Sequence, residues 1–127
     1  MKLALLLAAL VVVAGCGSDG PGASVAPRYD VTVTYWPDGR DGDSVAATLS
    51  CDPDGGSHPD PVEACDALLG NEAALAPASG DVACTEIYGG PQEATVVGGD
   101  VNASFSRANG CEIARWDALA PVLELAG

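Results

Sequence analysis

Cysteine placement constrains the fold of this chain more than any other feature of its sequence. One cysteine directly follows an apolar N-terminal run typical of an export signal, and four lie downstream: Cys16, then Cys51, Cys65, Cys84 and Cys111. An even number of cysteines in an exported domain indicates disulfides, and four cysteines allow three connectivities. Metal ligation is disfavoured because the chain has no Cys-x-x-Cys and holds one histidine. We therefore expect a domain with disulfides and without a bound metal.

The N-terminal residues resemble the signal of a bacterial lipoprotein. Lys2 supplies a positive end, and the apolar run from Leu3 to Val13 is shorter than the roughly 20 residues that span a bilayer. The run ends in Val13-Ala14-Gly15-Cys16, which is similar to a lipobox. This resemblance implies that Cys16 is lipidated and becomes the first mature residue. We expect residues 1–15 to be a removed signal peptide.

The chain after the predicted signal divides into a spacer and one domain. Residues 16–27 are rich in glycine, serine and proline, which is typical of a flexible linker. Residues 28–127 are enough for a single small domain. The formal net charge of −13 disfavours nucleic acid and anionic membrane as partners. We expect export and attachment to the outer face of the bacterial cell membrane through the lipid alone, or secretion if the lipid is absent.

Hydrophobic periodicity predicts an α+β fold with an antiparallel sheet of about five strands and two short helices. The predicted strands cover residues 29–36, 45–51, 93–97, 101–107 and 122–125. One helix is predicted from Pro61, with Val62 on its core face, and another after an N-cap at Asn109, with Ile113 on its core face. Strands and helices do not alternate along the chain, and this order favours antiparallel pairing.

The loop after Cys51 holds polar residues that mimic two kinds of site. Ser57, His58 and Asp60 offer the side chains of a serine triad, but they lie within four residues, whereas a working triad draws on separate elements. Nearby acids partly mimic a calcium loop, but the position that requires glycine falls on Ser57. We interpret His58 as a plain loop residue and expect no catalytic or metal site here.

A different pattern lies between Ala83 and Pro91. Cys84 opens a short run, Gly-Gly-Pro closes it, and a second cysteine follows an Asn-Gly pair downstream. A protease binds its substrate in extended form, and ordering a peptide costs about 1–2 kcal/mol per residue. A disulfide at Cys84 would remove part of that cost beforehand, and Asn109 is placed to hydrogen-bond the run. The residues alone leave two interpretations open: a protease-binding loop, or an ordinary turn held by a disulfide.

Several motifs together resemble the Streptomyces subtilisin inhibitor family. They are the four downstream cysteines, Gly-Ser-His-Pro after Cys51, the run Cys84-Thr85-Glu86-Ile87-Tyr88, and Phe105-Ser106-Arg107-Ala108-Asn109-Gly110-Cys111-Glu112. The likeness covers the chain from Tyr29 to its C-terminus. It implies a five-stranded antiparallel sheet with two helices, disulfides pairing Cys51 with Cys65 and Cys84 with Cys111, and a homodimer.

The resemblance also implies a function, that of a serine protease inhibitor rather than an enzyme. It places the reactive bond between Glu86 and Ile87 and needs no cofactor. The residues expected to contact the protease or support the loop are Ala83, Thr85, Tyr88 and Asn109. The alternative is a cell-surface lipoprotein that uses the same scaffold as a binding or structural module, without a protease target.

Glu86 departs from the family pattern, because well-studied members carry Met, Leu, Lys or Arg at this position. A carboxylate is unfavourable in an apolar pocket. Neutralising an ordinary glutamate at pH 7 costs about 3.7 kcal/mol, which corresponds to a roughly 500-fold loss of affinity. The expected partner is therefore either a subtilisin-like protease that tolerates this cost or a glutamate-preferring serine protease with a cation in its pocket.

Overall fold

A four-stranded antiparallel sheet forms one layer of the domain in the computed structural model, which describes residues 27–125. Its strands are β1 (Tyr29–Trp36), β2 (Val45–Cys51), β3 (Glu93–Gly98) and β4 (Val101–Ser106), in the order β2-β1-β3-β4. The predicted signal peptide and Cys16 lie outside the described residues, so the lipoprotein assignment stays a prediction.

Alternating side chains explain why β1 forms the centre of the sheet. Val31, Val33 and Tyr35 point to one face and are buried. Val31 lies opposite Leu49 of β2, and Val33 lies opposite Val96 of β3. Burial of facing β-branched and aliphatic pairs stabilises the register, because a slip by one residue would turn the apolar side chains to solvent.

The two helices cover the apolar face of the sheet. α1 (Pro61–Gly70) is capped by Asp60, whose side chain accepts a hydrogen bond from the Glu63 N–H, and α2 (Gly110–Leu123) is capped by Asn109 in the same way. The Cys51–Cys65 disulfide joins β2 to α1. Trp116 of α2 is fully buried in the core between the layers. The α+β fold and both disulfide pairings are thus confirmed.

The predicted strand at 122–125 is wrong, and the part of the sheet within residues 27–125 has four strands rather than about five. α2 continues through Pro121 to Leu123, and Val122 and Leu123 are completely buried. A short apolar run fits a strand and a buried helical turn equally well by periodicity. Packing against the core therefore decides between them.

Two core assignments on the helices also differ from expectation. Val62 is 59% exposed, whereas the buried residues of α1 are Ala64, Cys65 and Leu68. Ile113 is half-buried. Its side chain lies beside Gly89, so it packs below the loop that precedes β3 rather than in the centre of the core.

His58 is a buried structural residue and not a plain loop residue. The residue is 6% exposed to solvent. Nδ1 accepts a hydrogen bond from the Asp60 N–H at 3.0 Å, so the proton lies on Nε2, which donates to the Val122 carbonyl at 3.0 Å. This carbonyl belongs to the last turn of α2, where helical partners are missing. One side chain therefore ties the start of α1 to the end of α2.

Candidate functional site

The segment before β3 exposes large apolar side chains. Ile87 is 60% exposed and Tyr88 is 69% exposed, and Glu86 between Thr85 and Ile87 is exposed as well. The segment has no regular secondary structure. Two neighbouring large apolar side chains thus face solvent in this segment. We refer to residues 84–89 as the 84–89 loop.

The start of the 84–89 loop is attached to the first turn of α2. A disulfide joins Cys84 to Cys111, with the two Cα atoms 5.2 Å apart. The Gly110 N–H donates a hydrogen bond of 2.8 Å to the Thr85 carbonyl. A covalent and a polar contact thus hold neighbouring residues against the same helical turn.

Gly110 is required by the close approach of the loop to α2. A β-carbon at position 110 would overlap with the Thr85 hydroxyl oxygen. The Thr85 side chain therefore occupies this space only because residue 110 lacks a β-carbon. The Asn-Gly-Cys motif signals this glycine in the sequence, but its partner becomes evident only once the disulfide pairing is known.

The end of the 84–89 loop is attached to the residue that follows β4. The Gly89 N–H donates to the Arg107 carbonyl at 2.7 Å, and the Gly89 carbonyl accepts from Arg107 Nε at 3.2 Å. A β-carbon on Gly89 would lie 2.8 Å from Ile113 Cδ1 and 3.1 Å from Arg107 Cβ. Gly89 is therefore held by two hydrogen bonds in a space that admits no larger residue without displacement.

Arg107 is itself fixed by α2. Its NH1 group lies 3.0 Å from Asp117 Oδ1, and its guanidinium lies over the Trp116 ring, 5.9 Å from the centroid. The Arg107 side chain is 21% exposed, and Trp116 is fully buried. The attachment of Gly89 is thus continuous with the hydrophobic core.

The centre of the loop is free of such contacts. Within residues 27–125, no hydrogen bond joins Glu86, Ile87 or Tyr88 to the rest of the domain. The loop therefore has two rigid ends and an exposed central tripeptide. This arrangement can present a peptide bond to another protein at a low entropic cost.

The remaining predicted site residues lie around this tripeptide. Ala83 and Thr85 are exposed on its N-terminal side. The Asn109 side chain accepts a hydrogen bond of 3.0 Å from the Glu112 N–H and caps α2. Its contribution to the loop therefore acts through the helical turn that carries Gly110, not through a side-chain bond to the loop backbone.

The other candidate groups do not form catalytic or metal sites among the described residues. The Ser57 hydroxyl accepts a hydrogen bond from the Thr48 N–H, whereas His58 bonds Val122. Cys51, Asp54 and Cys65 lie within ligand distance of one another, but the two sulfurs form a disulfide and are not thiolate ligands. No helix within residues 27–125 is both long and apolar enough to cross a membrane.

Comparison with known proteins identifies one family. A family model described as subtilisin inhibitor-like matches residues 30–111, which is more than half of the chain. The matched region contains the 84–89 loop and all four cysteines of the two disulfides. No curated protein matches the chain.

Replacing Gly110 with alanine tests the attachment of Thr85. We expect Gly110→Ala to break the hydrogen bond between residues 110 and 85 and to destabilise the domain by about 1–3 kcal/mol, because the added methyl group displaces Thr85. Urea unfolding measures the stability, and amide exchange at Gly110 reports the bond. Gly80→Ala is the matched control, since a β-carbon there meets nothing within 4 Å. Equal effects of the two substitutions would contradict this account of Gly110.

Proposed function

Because the chain belongs to the subtilisin inhibitor-like family, we propose that it inhibits a serine protease by presenting the bond between Glu86 and Ile87 as a substrate-like target. The observation that carries the proposal is the exposed tripeptide Glu86–Tyr88 between two rigid attachments. Family membership alone supports the coarser statement, that the chain is an inhibitor of proteases and not an enzyme.

Preorganisation of the loop is the physical basis of this proposal. A flexible peptide that binds a protease cleft loses about 1–2 kcal/mol of conformational free energy per ordered residue. The Cys84–Cys111 disulfide closes a separation of 27 residues, which restricts the unfolded chain by roughly 3.5 kcal/mol in the chain-entropy estimate. Binding can then use contact energy that a free peptide would lose to ordering.

Residues of the loop have distinct roles in the proposed complex. Glu86 enters the pocket that recognises the residue before the scissile bond. Ala83 and Thr85 contact the protease on the N-terminal side, and Ile87 and Tyr88 contact it on the C-terminal side. The exposure of Ile87 and Tyr88 supports this assignment, because both side chains can be buried by a partner.

We propose that residues 1–15 are removed, that Cys16 carries a lipid, and that residues 16–27 space the domain from the membrane. β1 begins at Tyr29 and ends at Trp36. Trp36 pairs with Glu93 at the end of the sheet nearest the loop. Eight residues of strand extend about 25 Å, so the start of β1 lies about that far from the end of the sheet that carries the loop. Mass spectrometry of the mature N-terminus should detect the acylated cysteine, and an unmodified Cys16 would refute the anchor.

A protease panel tests the proposed inhibition directly. We expect the mature chain to inhibit at least one serine protease at a one-to-one ratio and to acquire a slow nick after Glu86. Reduction of the disulfides should abolish inhibition, because the start of the loop is then released. Mass spectrometry of the complex locates the nick. Absence of inhibition across subtilisin-like and glutamate-preferring enzymes would favour a binding module without a protease target.

The pH dependence of inhibition identifies the pocket that receives Glu86. A cation-lined pocket recognises the carboxylate, and an ordinary glutamate is still mostly ionised at pH 5, so inhibition should stay nearly constant from about pH 8 to 5 and weaken only below that range. An apolar pocket receives the neutral acid, so inhibition should tighten over that range by up to about tenfold per pH unit. The inhibition constant is measured after correction for the protease's own titration.

Substitutions of Glu86 provide the matched comparison. Glu86→Gln should remove either pH dependence, and Glu86→Leu should tighten binding to an apolar pocket by about 500-fold. Asp100→Asn is the control, because Asp100 lies in the turn at the opposite end of the β3–β4 hairpin. A flat pH profile together with unchanged Glu86 variants would show that Glu86 enters no pocket.

A further inference from the structure

The two sides of the proposed reactive bond are attached to the domain in different ways. Glu86 lies two residues after Cys84 and stays linked to α2 through the disulfide if the bond is cut. Ile87 would then begin a new chain end. Its nearest attachment is Gly89, which is held by the backbone and side chain of Arg107. No disulfide holds the side that leaves between Ile87 and the start of β3 at Glu93.

We propose that Arg107 is a positioning residue that makes the chain an inhibitor rather than a substrate. It acts through Gly89, by keeping the new amino group of Ile87 beside the acyl-enzyme. The inference rests on the function proposed above. It adds a specific residue, outside the 84–89 loop, that governs whether the cut bond is rejoined.

The chemistry of rejoining explains why this position matters. In the acyl-enzyme, the Glu86 carbonyl carbon is bonded to the oxygen of the protease serine. The Ile87 nitrogen attacks that carbon, a C–N bond forms, and the C–O bond to serine breaks. A proton passes from the amine through the protease's base to the serine oxygen. Water attacking the same carbon instead leaves a free carboxylate on Glu86, so the outcome depends on the local concentration of the amine.

The number of residues between Ile87 and its nearest attachment determines the local concentration of the new amino group. With Gly89 in place, Ile87 is two residues from a fixed point and can reach at most about 7 Å. If Gly89 is released, the next fixed point is Glu93, six residues away, and the reach grows to about 20 Å. A threefold longer tether lowers the effective concentration by about 5-fold for a flexible chain, and by about 30-fold if the accessible volume grows with the cube of the reach.

The contacts of the Arg107 side chain explain how it restricts the orientation of Gly89. The backbone bond from Gly89 to the Arg107 carbonyl survives any substitution, but a single hydrogen bond allows Gly89 to rotate. The Nε bond to the Gly89 carbonyl removes that freedom. Asp117 and Trp116 hold the guanidinium in place from α2, and a planar donor fixed in this way restricts orientation more than a lysine amine would.

The experiment compares initial inhibition with turnover. Arg107→Met keeps the stem of the side chain and removes the Nε donor, and we expect initial inhibition to weaken less than cleavage accelerates, because the disulfide and the backbone bond of Gly89 remain. The rate of cleavage after Glu86 should rise, and rejoining of purified nicked inhibitor by protease should slow, each by up to the roughly 5- to 30-fold that complete release of Gly89 would give, since the backbone bond of Gly89 remains. Arg107→Lys should lie between Arg107→Met and wild type.

Two further variants separate positioning from general effects. Arg28→Met changes the charge equally, at an exposed arginine paired with Glu72, and should leave turnover unchanged. Asp117→Asn weakens only the outer support of Arg107 from a side chain that is 64% exposed, and should raise turnover even if Arg107→Met folds poorly. Wild-type turnover in both Arg107→Met and Asp117→Asn would overturn the inference. Absence of inhibition by the wild-type chain would instead refute the proposed function, and the inference with it.

Discussion

Both ends of the 84–89 loop are attached to one short segment, residues 107–111, and this attachment fixes the shape of the loop. Arg107 holds Gly89, while Gly110 and Cys111 hold the residues at the other end. Because this segment joins β4 to α2, its position follows from packing of the helix on the sheet. The buried ring of Trp116 therefore contributes to the shape of an exposed loop without contacting the residues at its tip.

The contacts that hold the 84–89 loop are separate from the other contacts that stabilise the domain. The Cys51–Cys65 disulfide and the hydrogen bonds of His58 connect β2, α1 and the end of α2. None of these contacts involves the 84–89 loop. They stabilise the packing of α2, and the loop depends on them only through that helix. Such an arrangement suits a binding loop, because residues at its tip can change without loss of the core.

Local patterns in the sequence predicted the local structure, and failures occurred where distant contacts decide. Alternation of apolar and polar residues predicts β1, and Asn109 as an N-cap predicts the start of α2. Both signals act over only a few residues. Residues 122–125 were misassigned because burial extends α2 past Pro121. The role of Arg107 could not be predicted, since its partner Gly89 is 18 residues away and is brought close only by the β3–β4 hairpin.

Charged side chains near the 84–89 loop affect how fast a partner associates with it. The chain carries a net charge of −13, but salt screens charges beyond about 8 Å, so those beside the loop matter most. Asp38 and Asp41 line the same groove as Tyr88, while Arg40 in that groove is paired with Glu93. Arg107 also lines this groove and is paired with Asp117, so Asp38, Asp41 and Glu86 leave an excess of negative charge near the exposed tripeptide. Such a surface speeds association with a basic cleft and slows association with an acidic one.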